Sequence, residues 1–435
     1  APLDQRQVNT GRFSLFLPET REFFLQDAAV FEFAGRTFGD DERNGMPFFS
    51  RRIGFAGGEA ADILAGGKLS GQIGPVSIGA LSTRTKSNQN AAGQTLSVAR
   101  ASAEVLEESR IGFIVTNGDP LGLVQSTVAG ADFQYRNSNL IGEGVLFADL
   151  GYLRSWQDGD ARDLFGAELA YEADKWNWKI RLRDIERDFD PRLGFVNRSG
   201  VRSIFGDGFR LWRPAGIGVR EVETGVSAKA VADAGGGLLD QEIEGRVRIE
   251  WVTDDELTAR VKAYDLNILE PFKVAGIVDV PSGTYRYLQR EIKAESSPAR
   301  RVSAGMEVKW GRIYDGTYLM LKPNLRLRPS RHFEISLNYD RRLFDLPDGR
   351  IAVHVASSEV NFSLSPRLQF NALAQYDNIS ESLALSGRMK WEIDPATELQ
   401  FIIRHSAEIE GMYFPQGFFS TDSSATIRLS RVFRM

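Results

Sequence analysis

Cysteine is absent from this sequence of 435 residues. Its absence excludes disulfides, thiolate metal sites and cysteine nucleophiles. It also suits an exported chain that crosses an oxidising periplasm before it folds. Histidine is scarce as well, with three residues, His332, His354 and His405. None of them has the H-x-x-x-H spacing of a metal site, so we predict ordinary strand positions for all three and no bound metal.

Motifs for catalysis and cofactor binding are also missing. The sequence has no G-x-S-x-G elbow, no phosphate-binding P-loop and no recognisable pair of catalytic carboxylates. A net charge of −5 and a pI of about 5.6 leave no basic footprint for nucleic acid. These absences predict a protein that is not an enzyme, holds no cofactor and binds no nucleic acid.

Long hydrophobic runs are lacking too. The longest ones, such as residues 274–278, are far shorter than the roughly 20 residues that a membrane helix needs. Mean hydropathy is only −0.25. A membrane barrel remains possible, because its strands turn every second residue away from the lipid. The opening residues, 1–4, show neither a basic region nor an apolar stretch, which indicates a removed signal peptide or a piece of a longer precursor.

What the sequence does contain is alternation of apolar and polar residues over long segments. One face of the segment near Phe333 carries Phe333, Ile335, Leu337 and Tyr339, while the residues between them are polar. Similar segments surround Ile180, Ile249 and Trp391. Their length, roughly 11 to 13 residues, exceeds the usual globular strand of about 5 to 6 residues. It matches the roughly 9 to 11 residues with which a tilted strand crosses a bilayer.

Connections between these segments alternate between short and long. Short turns are predicted at residues 174–175, 213–214, 253–254, 297–298, 329–330, 365–366 and 394–396, and longer ones at 187–199, 232–237, 266–283, 346–349 and 410–421. Membrane barrels have short periplasmic turns and longer outer loops. We therefore predict an all-β fold, a transmembrane up-and-down antiparallel β-barrel of about 22 strands (range 18–22) that begins near Phe48. An even count would place both the N- and C-termini in the periplasm.

Aromatic residues support a membrane barrel. Trp176, Trp212, Trp251 and Trp391 each lie within a few residues of a predicted short turn, as in the aromatic girdle of a barrel. Close packing of aromatics at strand ends is the alternative explanation. The C-terminal residues 425–435 alternate to the end and include Phe433, which resembles the closing strand that assembly machinery recognises.

Several motifs resemble those of one bacterial family. They are residues 14–25 (SLFLPETREFFL), 31–33 (FEF), 47–54 (PFFSRRIG), 66–71 (GGKLSG), 190–196 (DPRLGFV) and 328–330 (RPS). In these motifs the chain is similar to a family of predicted outer-membrane β-barrels of unknown function. Members of that family are often fused behind an N-terminal carbohydrate-binding-like β-sandwich. The resemblance implies a barrel in the outer membrane of a Gram-negative bacterium and implies no activity. The sandwich is not expected here, because the chain begins almost at the first motif.

The first 47 residues break the strand pattern and are predicted to form a plug-like segment ahead of a barrel domain at residues 48–435. The segment is too aromatic for a disordered tail. Glu19 and Glu22 are expected to pair with arginines that point into the barrel. The predicted packing anchors of the plug are Phe23, Phe24, Phe31 and Phe33.

Charged residues opposite the apolar faces are the candidate lining of a lumen, because a charge near the middle of the lipid costs several kcal/mol. The candidates are Lys179, Arg181, Arg183, Arg246, Arg248, Glu334, Arg388 and Lys390. Two interpretations stay open: a pore lining that selects solutes by charge, and a ladder of ion pairs within the barrel wall.

These features predict a porin-like outer-membrane protein, a channel or transporter with a partly plugged polar lumen. The alternative is a structural or assembly barrel that docks another protein of the cell envelope. The expected partners are outer-membrane lipid and lipopolysaccharide, and in the alternative a second envelope protein.

Overall fold

The structure is a computed structural model that describes residues 6–39, 43–57, 59–140, 142–410 and 417–431. The chain folds into two compact units. Among the described residues, unit 1 comprises those in 13–211 and 225–243, and unit 2 comprises those in 6–12, 212–224 and 244–431. No helix in the described ranges is long and apolar enough to cross a membrane.

The chain enters unit 1 through short pieces of structure. Helix α1 (Glu22–Leu25) and helix α2 (Arg36–Gly39) flank a 3-10 turn at Ala28–Phe31, and a second 3-10 turn occupies Ser50–Arg52. Strands β1 (Phe55–Ala56) and β2 (Glu59–Ala60) then form a two-stranded pair. The large sheet was expected to begin near Phe48, but its first strand begins at Ile63, because residues 45–49 pair with the loop at residues 193–195 instead.

Unit 1 is built on nine antiparallel strands that are neighbours in chain order. Their bounds are β3 (Ile63–Ile73), β4 (Val76–Thr85), β5 (Thr95–Val105), β6 (Ser109–Asn117), β7 (Ser126–Asn137), β8 (Val145–Gln157), β9 (Asp160–Glu172), β10 (Trp176–Ile185) and β11 (Val201–Trp212). Strands β12 (Val219–Asp233) and β13 (Leu238–Trp251) carry residues of both units.

The strands of unit 2 are antiparallel as well. Its strands are β14 (Glu256–Ile268), a small hairpin of β15 (Phe272–Val274) and β16 (Val278–Val280), then β17 (Gly283–Glu295), β18 (Val302–Ile313), β19 (Gly316–Ser330), β20 (Phe333–Leu346), β21 (Gly349–Ser365), β22 (Leu368–Asp377), β23 (Ser382–Asp394), β24 (Thr397–Glu410) and β25 (Gly417–Arg431). The fold is all-β, as the alternation predicts.

The large sheet holds 21 strands within the described residues, inside the predicted range and one fewer than 22. The even count on which the placement of both termini depended is therefore not met by these strands. Residues 417–421 belong to β25 rather than to a loop, and residues 411–416 and Phe433 lie outside the described residues.

The connections follow the predicted alternation only in part. In unit 1 the short turns at residues 74–75, 106–108 and 173–175 lie at one end of the strands, and the longer connections at 86–94, 118–125 and 186–200 lie at the other. Two connections depart from the pattern: the one between β7 and β8 is longer than the turns at its end, and residues 158–159 form a two-residue turn at the end of the longer connections. In unit 2 the predicted long connection near residues 346–349 is a two-residue turn, 347–348, because β20 and β21 pair up to Leu346 and Gly349.

Each unit has two chemically different faces. In unit 1, Phe165, Ile180 and Leu182 are exposed on one face, and Glu168 and Arg181 are buried on the other. In unit 2 the exposed apolar side chains include Val261, Ile292, Leu337 and Leu385. We call the face with exposed apolar side chains the outer face and the opposite one the inner face. The period of two in the sequence produces this division directly.

Candidate functional site

Three of the family-like motifs meet in unit 1. The rings of Phe16, Phe49 and Phe195 contact one another, with centroids 4.7 Å apart for Phe16 and Phe49 and 5.1 Å apart for Phe16 and Phe195. The backbone N–H of Phe49 donates to the Leu193 carbonyl at 2.6 Å. A Cβ at Gly194 would overlap a backbone carbonyl oxygen of the segment, so this position requires glycine. The motifs thus hold residues 13–62 against the loop between β10 and β11.

The beginning of this N-terminal segment is fastened by Glu19 and Arg21. The Glu19 carboxylate accepts hydrogen bonds from Arg21 Nη2 at 2.6 Å and from Ser50 Oγ at 2.7 Å. Arg21 also donates to the Ile53 carbonyl at 2.7 Å. Burial raises the pKa of Glu19, but the hydrogen bonds from Arg21 and Ser50 outweigh it and hold the pKa at about 2. The expected pairing of Glu19 with an arginine of the barrel wall was wrong, because Arg21 reaches it from two residues away.

Aromatic side chains of the segment pack on the inner face. Phe24, Phe31 and Phe33 are buried, whereas Phe23 is 38% exposed and contacts the edge of the Phe24 ring. Phe38, which is not among the predicted anchors, is almost fully buried. Whether these side chains act as anchors of a plug stays a prediction.

Glycines of the strands provide the space for these rings. A Cβ at Gly79 would lie 3.2 Å from the Phe31 ring, and one at Gly151 would lie 2.7 Å from both Ala34 and Phe38. Glycine inside a strand often marks the close approach of another chain segment. These glycines at inner-face positions were the signal in the sequence that could have shown where the segment packs.

Two carboxylates of the strands bind the backbone of the segment. Asp132 on β7 accepts the Ala34 N–H at 3.1 Å, and Asp149 on β8 accepts the Arg36 N–H at 3.1 Å. Asp132 also forms a double hydrogen bond with Arg100, at 2.8 and 2.9 Å, and the two side chains are 0% and 2% exposed. Sequence reasoning missed both aspartates, because each looks like any other polar residue of an alternating strand.

A cavity of about 1120 Å³ lies between the segment and the inner face of unit 1. Its walls combine aromatic side chains, among them Phe48 and Phe147, with charged ones such as Arg36, Asp149 and Lys179. The Arg36 guanidinium lies over the Phe147 ring at 4.1 Å and pairs with Glu172 at 2.6 Å. The volume slightly exceeds that of typical small-molecule sites, about 300–1,000 Å³.

The predicted lining residues of unit 1 lie together on the inner face of β10. Arg181 pairs with Glu168 at 2.6 Å, and both side chains are buried. Arg183 lies 5.8 Å from the Phe38 ring centroid, and Lys179 lies 5.5 Å from that of Phe205. These three cations are therefore engaged with the wall or with the N-terminal segment.

The predicted lining residues of unit 2 also have partners. Arg246 pairs with Glu223 at 3.0 Å and Arg248 with Glu221 at 2.7 Å. The remaining contacts are those of Glu334 with Arg328, of Lys390 with Glu398 at 2.7 Å and of Arg388 with Asn371 at 3.3 Å. The structure groups these residues by neighbouring strands and does not gather all eight candidates into one site.

The first described residues are held by unit 2. Arg6 donates through Nη1 to Asp377 at 2.7 Å and to the Ser382 carbonyl at 2.7 Å, and through Nη2 to the Ser382 hydroxyl at 3.1 Å. Arg342 on β20 donates to the Thr10 hydroxyl at 3.0 Å. These bonds attach residues 6–10 to the inner face of β20, β22 and the following turn.

Comparison with known proteins identifies the fold and no family. No protein-family model matches the chain, and no curated protein is similar to it. Among solved structures it is similar to a mutant of the ferric enterobactin receptor PfeA from Pseudomonas aeruginosa, with 9% identity, a TM-score of 0.52 and coverage of 82% of this chain and 73% of that chain. A second structure, that receptor in complex with BCV-L6, gives 10% identity and a TM-score of 0.48 over 86% and 73% of the two chains.

At this identity the first likeness concerns the fold alone. The chain has an all-β, barrel-like fold similar to that of the receptor. This fold agrees with the barrel that the family resemblance implies.

Proposed function

We propose that this protein is a channel or transporter of the outer membrane whose interior is occupied by its own N-terminal segment, residues 13–62. The observation that carries the proposal is the attachment of the segment to strand residues. The carboxylates of Asp132 and Asp149 accept the N–H groups of Ala34 and Arg36. A segment bonded through its backbone to the inner face belongs to the native interior rather than to a loose tail.

The two chemically different faces support a barrel wall in lipid. Charged side chains at the middle of a bilayer are costly, so the apolar outer face fits the lipid and the charged inner face fits an aqueous or protein-filled interior. Trp176, Trp212 and Trp391 are exposed near strand ends, where an indole ring suits the membrane interface. We propose that the turns at residues 74–75, 106–108 and 173–175 face the periplasm. The periplasmic location of both termini stays a prediction for labelling to test.

The paired charges of the inner face favour a gated transporter rather than a permanently open pore. Arg181 and Arg246 are held by carboxylates of neighbouring strands, so little net charge is left to select a solute in the closed state. A solute then needs the segment to move before it finds a continuous path.

The test is removal of the segment. A variant that lacks residues 1–45 should still insert into lipid, show β-type circular dichroism and change its apparent mass on gels after boiling. Its conductance in planar bilayers should exceed that of the full-length chain. A folded variant with unchanged conductance would contradict a transporter closed by this segment.

A specific observation favours the alternative, a structural or assembly barrel. Arg248 contacts four carboxylates, those of Glu221, Glu223, Glu250 and Glu256. Three further arginines bind three of these carboxylates: Arg213, Arg220 and Arg246. Four arginines thus face four glutamates, so the network stiffens the wall and leaves little net charge for a solute. In that case the segment-deletion variant keeps its low conductance, and a second envelope protein co-purifies with the native chain from detergent-solubilised membranes.

A further inference from the structure

The connection between β14 and β17 folds into a hairpin instead of extending as a loop. Its strands β15 and β16 pair Phe272 with Val280 and Val274 with Val278. The turn between them uses Ala275 and Gly276, both with positive φ, 51° and 75°. Two consecutive residues of this kind make the tight turn that matches the twist of a hairpin.

The hairpin has one apolar and one polar face. Val274, Val278 and Val280 are 0%, 5% and 1% exposed. On the other face Lys273 and Asp279 form an exposed ion pair at 2.8 Å. An outer loop in water has no need of such a division, so the hairpin is shaped to cover an apolar surface.

The surface that it covers lies on the inner face of unit 2. The buried cluster joins the hairpin to Phe344 and Leu346 at the end of β20 and to Ile351 and Val353 at the start of β21. The register pairs Phe344 with Ile351 and Arg342 with Val353, so these apolar residues share a face with Arg342, whose partner Thr10 belongs to the N-terminal residues.

Aromatic residues complete the cover. The Phe272 ring of the hairpin meets the edge of the Tyr314 ring at 5.4 Å, and Tyr314 in turn meets Tyr285 at 5.8 Å. Val8, from the first described residues, packs against the same cluster. The hairpin is therefore held by contacts within unit 2 that do not involve residues 13–62.

We propose that this hairpin, residues 269–282, is a second closure of the interior, independent of the N-terminal segment. The inference depends on the proposed function, since a closure has meaning only where solutes pass. It predicts that removing the N-terminal segment alone opens the path in part, and that full conductance requires the hairpin to be lifted as well.

The experiment compares four proteins in planar bilayers: the full-length chain, a variant without residues 13–45, which keeps Val8 on the hairpin cluster, Val278→Asp, and the two changes combined. Val278→Asp places a charge in the buried face of the hairpin and should lift it without changing any strand of the large sheet. We expect the combined variant to conduct several-fold more than either single variant. Lys273→Ser, on the exposed face, is the matched control. It should leave the conductance unchanged both in the full-length chain and in the deletion variant.

A cysteine readout reports the position of the hairpin separately, since the chain has no native cysteine. Cysteine at Val274 should resist a water-soluble maleimide in the full-length chain and react in the Val278→Asp background. Cysteine at exposed Ile277 should react in both. If Val274→Cys is already reactive in the full-length chain, the hairpin does not cover the surface and the inference is wrong.

Conductance then separates the two ideas. A deletion variant that alone conducts as well as the combined variant overturns the second closure and leaves the proposed transporter intact. A combined variant that stays closed, with a reactive cysteine at position 274, overturns both.

Discussion

The bond between Asp132 and the N-terminal segment gives the most discriminating prediction. Asp132 holds two groups at once: the Arg100 guanidinium of the wall and the Ala34 N–H of the segment. Removal of one partner from a buried ion pair costs about 3–5 kcal/mol, because the other charge stays buried. A buried N–H without an acceptor costs about 1–3 kcal/mol. Asp132→Ala should therefore lower the overall free energy of unfolding by about 3–5 kcal/mol. It should weaken the packing of the segment by about 1–3 kcal/mol.

A double variant separates these two costs. In Arg100→Met with Asp132→Leu the unpaired charge is gone, so most of the loss of overall stability should be recovered. The Ala34 N–H still lacks its acceptor, so the segment should stay loosened by about 1–3 kcal/mol.

Two measurements check the prediction. Urea unfolding in lipid vesicles reports overall stability, and hydrogen exchange followed by mass spectrometry reports opening of the peptide at residues 31–38. A loss of about 1–3 kcal/mol corresponds to exchange faster by roughly 5- to 150-fold. Unchanged exchange of this peptide in both variants would show that the Asp132 bond does not hold the segment, and the reasoning would fail.

Further predictions address the membrane wall, acidity and the glycine positions. Leu385→Arg on the outer face should cost about 2–4 kcal/mol in vesicle refolding if the site is near the midplane, whereas Ser386→Arg on the inner face should be tolerated. The pKa of Glu19 is lowered from 4.5 to about 2 in the folded chain, so Glu19 stabilises the segment above pH 4.5, and this stabilisation is lost as pH falls towards 2. Hydrogen exchange of residues 14–25 should therefore become faster between pH 4.5 and 2 in the native chain. In Glu19→Gln this dependence on pH should be absent. Gly151→Leu should expel the segment and raise conductance, since a Cβ there meets Ala34 and Phe38 at 2.7 Å, whereas Gly206→Leu has open space and should do neither.

The fold was largely predictable because it depends on a local pattern. The residues near Phe333 alternate, and β20 runs through them from Phe333 to Leu346 with Ile335 and Leu337 on one face. Alternation of period two needs no knowledge of distant residues, so the sequence suffices to assign faces and most turns.

The interior was less predictable because it depends on which segment folds back onto which strand. Asp132 occupies an inner-face position where a polar residue is common whether it faces water or another segment. The partners of Glu19 and the cover over Phe344 are likewise fixed by contacts far apart in the chain. The apolar run at residues 274–278 is too short for a membrane helix, and its role in a buried hairpin follows only from the fold of unit 2.

The attachment of Arg6 sets an order for folding. Its partners Gln375 and Asp377 lie 369 and 371 residues further along the chain. Contacts between such distant residues form late, because a very long loop must close first. Residues 6–10 are thus synthesised long before the strand that binds them, and they find their place only after β22 has formed. An assembly intermediate arrested before β22 would expose residues 6–10 to proteases, whereas the folded chain would protect them.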